Sequence, residues 1–181
     1  MATKTNYAIL GILTLGPQSG YDIKKFIAHS IGHFWQESYG QLYPTLKNLV
    51  QQDMAEMQIK KNEGKPDKKV YTITEKGRTC LKTWLTEPVT TWPLIRNELL
   101  LKLFFGQEVD KHIAIDHIRN LKNKASAKKN ELDAIYTMIN NELKAYEGQR
   151  YWKITVLAGL HNYDAMIKWA DESIEILKGE I

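Results

Sequence analysis

The chain has one cysteine, five prolines and eleven glycines in 181 residues. A lone thiol closes no intrachain disulfide, so the sequence is no disulfide scaffold and suits a reducing, cytoplasmic compartment. Glycine and proline are too few for a collagen-like or linker-like chain. Long apolar runs are missing too. The N-terminal run from Tyr7 to Leu15 is ended by Gly16-Pro17, well short of the roughly 20 residues that span a bilayer, and no cleavage pattern follows; neither signal peptide nor anchor is expected. There is no H-E-x-x-H, G-x-S-x-G, Walker-type loop or paired Cys motif, so no catalytic constellation and no cofactor is implied. His29 and His33 stand at i, i+4, the spacing of a helical metal pair, but lack a third ligand nearby; a metal site is not expected.

What is present is an ordinary folding composition, 43% apolar and 25% charged, with a formal net charge of +4. Residues 1–88 carry 12 Lys and Arg against 8 Asp and Glu, whereas residues 89–181 carry 13 of each. The excess is densest at Lys60, Lys61, Lys65, Lys68 and Lys69. Such a cluster attracts polyanions by steering and counterion release; a solvated Lys-rich hairpin is the other reading of the run alone.

Residues 7–15 form a short apolar helix. Ser19 then caps a second one, with Asp22 favourably placed against its positive N-terminus. Tyr21, Ile23, Phe26, Ile27, Ile31 and Phe34 are expected on its buried face. Ser38-Tyr39-Gly40-Gln41 has the S-x-x-Q form of a capping box and opens a third helix packed through Leu42, Leu46, Leu49 and Val50. Tyr39, Gln41, Tyr43, Thr45, Lys47 and Asn48 fall largely off that stripe. Pro44 removes the bond to the Gly40 carbonyl and predicts a bent first turn or a late start. From Met54 the period changes to two: Ala55, Met57 and Ile59 alternate with polar residues, and Val70–Thr74 is rich in strand formers. Around Glu63-Gly64-Lys65-Pro66 this makes a hairpin. Thr74 caps a fourth helix with Cys80, Leu81, Trp84 and Leu85 inward.

Three helices, a basic hairpin and a closing helix, in that order, describe a winged helix-turn-helix. A helix fits the major groove and a basic hairpin reaches the neighbouring backbone. The same order serves protein–protein assembly modules that never read DNA, which is the alternative function. Residues 89–94 read as a linker. Beyond it Arg96–Phe105 is an apolar helix with a Glu98/Lys102 pair, Val109 to about Glu147 a long helix, and about Gln149–Lys178 a last one. Positions 118, 121, 125, 128, 132, 135, 139, 142 and 146 follow a heptad seam interrupted by Lys128 and Glu142. The fold class is therefore mainly α: a winged helix-turn-helix domain at 1–88 and a long-helix dimerisation domain at 95–181. A homodimer presents two reading helices to a two-fold site.

Several segments together resemble the PadR family of bacterial transcriptional regulators: Tyr7-Ala8-Ile9-Leu10-Gly11, Ser19-Gly20-Tyr21-Asp22-Ile23, Ser38 through Leu49, Lys69 through Thr74 with Gly77, and Arg96 through Leu103. The helical tail resembles the family's longer subfamily. The resemblance implies a dimeric winged-helix protein on a palindromic promoter site, usually a repressor. It places Ser38, Tyr39, Gln41, Tyr43, Thr45 and Lys47 on the recognition helix and Lys68, Lys69 and Tyr71 in the wing. Lys65 joins the wing cations, and Tyr21 is a phosphate contact or a packing residue. Some family members release DNA on binding phenolic acids. Trp92, Trp152, His161 and Tyr163 are the candidate walls and anchors of an aromatic effector pocket, with core or dimer interface as the other use of such side chains.

Overall fold

The structure, a computed structural model, describes residues 3–35, 39–62, 65–90 and 96–179. They fall into two compact units, Met1–Thr91 and Trp92–Ile181.

In the first unit, helix α1 (Lys4–Leu13) buries Ile9, Leu10, Ile12 and Leu13. Gly16 turns the chain at φ 128°, a conformation that needs glycine. A two-residue strand β1 (Gln18–Ser19) leads into α2 (Gly20–Phe26), where Ser19 and Asp22 cap each other reciprocally. A π-helical turn, Ile27–Ile31, extends α2, and Ser30 Oγ donates to the Phe26 carbonyl at 2.5 Å. Ile23 and Ile27 are buried, but Tyr21 and Phe34 are exposed, against the expected stripe. Tyr21 lies two residues before Ile23, across the helix from it, and the wider π turn shifts the phase before Phe34 is reached.

Helix α3 (Tyr39–Gln51) includes Pro44 without a late start. Proline's fixed φ is helical and only the Gly40 carbonyl loses its partner, on an exposed residue near the helix start. Ser38, the expected cap, lies outside the described residues. The helix ends in a paired C-cap: Asp53 N–H donates to Val50 O at 3.1 Å and Met54 N–H to Leu49 O at 2.9 Å, with Asp53 at φ 55°.

Strands β2 (Ala55–Asn62) and β3 (Lys65–Ile73) form the antiparallel hairpin, pairing Ala55 with Ile73, Met57 with Tyr71 and Lys60 with Lys68. The residues between them, 63 and 64, lie outside the described set. β1 adds a third strand that sequence periodicity did not show, giving the order β1-β3-β2. Two residues are too few to carry a period. Ala55, Tyr71 and Ile73 reach the core, while Met57 and Ile59 are exposed, because only the base of the hairpin has helices beneath it. In α4 (Glu75–Thr86), capped by Thr74, Leu81 is buried and Trp84 stacks on Tyr7 at 4.5 Å. Leu85, expected inward, is exposed on the helix's final turn.

In the second unit, Asn97 caps α5 (Glu98–Phe104), and Lys102 pairs with Glu98 at 2.7 Å. A 3-10 turn, Gly106–Glu108, leads to Asp110, which caps α6 (Lys111–Glu142). This helix ends about five residues earlier than its periodicity predicts. The Gln149 side chain donates to the Ile139 carbonyl there at 2.9 Å, and the aromatic Tyr146 falls in the connection and is exposed. Helix α7 (Gln149–Lys178) packs against α6. Ile118, Ala125, Leu132 and Ile139, spaced by sevens, are all buried. Ion pairs Lys122–Asp171 at 2.5 Å and Lys129–Asp164 at 2.6 Å fix the register. Seven residues forward on α6 match seven back on α7, as antiparallel helices require.

Candidate nucleic-acid interface

Three elements of the first unit meet around a concave surface of about 650 Å³: the N-terminus of α2, the middle of α3, and β3. Tyr21, Tyr43, Lys47, Lys68, Lys69 and Tyr71 contribute to its lining. Leu42, Leu46 and Leu49 bury one face of α3 completely or nearly so, which turns Gln41, Tyr43 and Lys47 outward. Lys47 and Lys69 have no ion pair among the described residues. The surface therefore combines the Lys47 and Lys69 cations with phenol rings, and the exposed Gln41 amide lies outside its lining on α3, a set that suits phosphates and base edges.

Two expected members are placed differently. Thr45 is buried, because it stands at i+3 from Leu42 and i−4 from Leu49, on the packed stripe itself. Tyr71 is also buried, since β3 is the central strand and its side chain belongs to the core cluster. Burial, with the Tyr43 phenol beside it, pushes the Tyr71 hydroxyl above its ordinary pKa. Tyr71 thus stays a neutral phenol at the floor of the surface. Ser38 and the side chains of Tyr39 and Lys65 lie outside the described residues.

Lys68 is half-buried, and its Nζ lies 2.9 Å from Asp22 Oδ2. The same oxygen accepts from Ser19 N–H at 3.1 Å and from Ser19 Oγ at 2.7 Å. The Lys68 ammonium, then the Ser19 hydroxyl, hold the Asp22 carboxyl below its ordinary pKa. Sequence reading placed Asp22 against the positive N-terminus of α2 and missed it both as half of the Ser19 capping box and as the wing's ionic partner. It missed Gly20 as well: a Cβ there would stand 2.6 Å from Tyr43 Cε1. The bare backbone after the Ser19 cap is what lets the Tyr43 ring lie against α2, and a glycine at that place is the signal that was available.

The effector candidates are not gathered in this way. Trp92 lies outside the described residues. Trp152 stacks on Tyr146 at 4.8 Å, and with Tyr163 it packs against the Leu132, Ile139, Val156 and Leu160 cluster. His161 is exposed. It follows Trp152 by about two and a half helical turns, so the two point to opposite sides of α7. Among the described residues no group of three His, Cys, Asp or Glu side chains could hold a metal, and no helix is long and apolar enough to cross a membrane.

Residues 9–83 match the Transcriptional regulator PadR-like family, and residues 95–178 match the Virulence activator alpha C-term family. The negative transcriptional regulator PadR of Bacillus subtilis is 32% identical over 130 residues, 72% of this chain and 71% of that protein. Its structure with operator DNA superposes with a TM-score of 0.83 at 26% identity, over 95% of this chain and 98% of that one. The same protein with p-coumaric acid gives 0.77 at 25%, over 96% and 98%. The Vibrio cholerae virulence activator AphA gives 0.75 at 27%, over 98% and 100%.

Proposed function

The chain belongs to the PadR-like family of transcriptional regulators, and on that premise we propose that it is a homodimeric repressor that reads a palindromic promoter site and is released by a small aromatic acid. One observation carries the DNA-binding part. The outward face of α3 and the wing cations converge on one concave surface with the N-terminus of α2. In this reading Gln41 meets base edges and Tyr21, Tyr43, Lys47 and Lys69 meet phosphates, with Ser38, Tyr39 and Lys65 as further candidate contacts. Thr45, Tyr71 and Lys68 shape the surface from beneath or beside it.

Residues 1–88 are the DNA-binding domain, 89–94 the linker, and 95–181 the dimerisation and sensing domain. The tail supports dimerisation through apolar side chains that its own subunit leaves uncovered. Leu100, Leu101, Phe104 and Phe105 are exposed on and just after α5, and Tyr151, Ile154 and Ile176 on α7. A second subunit is the economical cover for them. The ligand class rests on the Bacillus subtilis relative, whose structure holds p-coumaric acid. A ligand that prefers a different spacing of the two reading helices weakens DNA binding by its differential affinity for that state.

The test is fluorescence anisotropy on labelled DNA from the gene's own upstream region against a scrambled duplex, with phenolic acids titrated in. Preferential binding reversed by a phenolic acid is the expected result. Preference that phenolic acids leave intact rejects the ligand class. Absence of preference on a genome-wide pool of fragments rejects the DNA reading.

A further inference from the structure

The wing carries its cations in an uneven way. In the β2–β3 register Lys60 stands directly opposite Lys68, on the same face of the hairpin. Two like charges so placed repel, and an exposed pair would loosen the wing. Lys68 instead reaches away from its strand partner to Asp22 at 2.9 Å. Asp22 is itself immobilised: its Oδ2 accepts both the backbone N–H and the hydroxyl of Ser19, and Ser19 is the β1 residue paired with Val70 of β3. One carboxylate oxygen thus ties the start of α2, the edge strand and the wing together. Lys47 and Lys69, on the same concave surface, have no such partner among the described residues.

Resting on the DNA-binding reading above, we propose that Asp22 is a positioning residue for the wing: it holds Lys68 as a neutral pair, so Lys68 aligns the hairpin on the reading surface without itself neutralising a phosphate. The carboxylate is already fixed by its cap, so pairing with it costs little further freedom on that side. A lysine leaving for a phosphate would strand Asp22, half-buried and negative, beside a polyanion. The salt-dependent attraction then falls to Lys47 and Lys69, with Lys68 contributing geometry.

The test is the slope of log affinity against log salt for the full-length protein on a fluorescein-labelled duplex, since each phosphate neutralised adds about 0.9. Asp22→Asn keeps an acceptor for the Ser19 N–H while removing the charge that holds Lys68. The proposal expects its slope to steepen by about 0.9, and the double variant Asp22→Asn with Lys68→Gln to return to the wild-type slope. A single Asp22→Asn variant with a slope equal to or shallower than wild type overturns it. If circular dichroism shows that Asp22→Asn is unfolded, Asp22→Ser, which removes the same charge and keeps a polar side chain beside Ser19, decides in its place: a slope steeper by about 0.9 supports the proposal, and a slope equal to or shallower than wild type overturns it. Wild-type protein that binds no duplex sinks the DNA reading itself, an outcome distinct from any of these.

Discussion

Gly77 packs its bare Cα against the backbone of Met54: a Cβ at residue 77 would stand 2.1 Å from the Met54 carbonyl oxygen. The contact joins the first turn of α4 to the end of α3. It is flanked by Thr74, whose N–H donates to that same carbonyl at 3.1 Å and whose hydroxyl donates to Asp53 O at 2.7 Å. Neither backbone can give way without breaking a cap. Gly77→Ala therefore destabilises the first unit by about 3 kcal/mol, at the upper end of ordinary overpacking. The urea midpoint by circular dichroism measures it, and a shift within experimental scatter would show that the contact relaxes freely.

Gly20 makes the complementary case. The atom its Cβ would meet belongs to the exposed, rotatable ring of Tyr43, not to backbone. Gly20→Ala is expected to change stability by less than about 1 kcal/mol while lowering DNA affinity severalfold, because the ring swings off the reading surface. A melt and a binding isotherm on the same preparation separate the two effects. Equal, large losses in both would place Tyr43 in the fold rather than at the interface.

On α3, Gln41→Ala and Lys47→Ala are expected to fail differently. Loss of the amide removes base discrimination worth about 1–3 kcal/mol at one position and relaxes sequence preference there. Loss of the ammonium weakens every duplex alike and shallows the salt slope by about 0.9. Selection from a randomised duplex library distinguishes the two variants. Identical preferences for Gln41→Ala and wild type would remove Gln41 from the bases.

Asp22 also predicts how the fold responds to acid. Its folded pKa lies below the ordinary value of about 3.9, held there by Lys68 and Ser19. The native state thus binds fewer protons than the unfolded one in this range. The contribution is fully present above about pH 4 and is lost as pH falls through the folded pKa. The pair is partly exposed, so it is worth about 0.5 kcal/mol at neutral pH. Asp22→Asn should lower the melting temperature slightly at pH 7 and converge on wild type in acid. A constant offset across the acid range would mean that the lost stability is not ionic.

Local features were readable in advance where the cause is local. The bounds of α7 at Gln149–Lys178 follow from one stripe of apolar residues between Gly148 and Gly179. The caps at Ser19 and Thr74, the Glu98–Lys102 pair and the seven-residue repeat of α6 are likewise interactions within a turn or two. The order of elements, and with it the winged-helix class, came from local periodicity, helical in most segments and changing to two from Met54.

Other features depend on which elements meet, and no periodicity encodes that. Thr45 is polar yet sits on the leucine stripe, and Tyr71 becomes core because β3 is flanked on both edges, once by a strand of two residues. Asp22 and Lys68 are far apart in the chain, and each looked like an independent charge. Only the closing of β1 onto β3 brings the cap of α2 beside the wing, where Coulomb attraction at 2.9 Å turns two surface residues into one device.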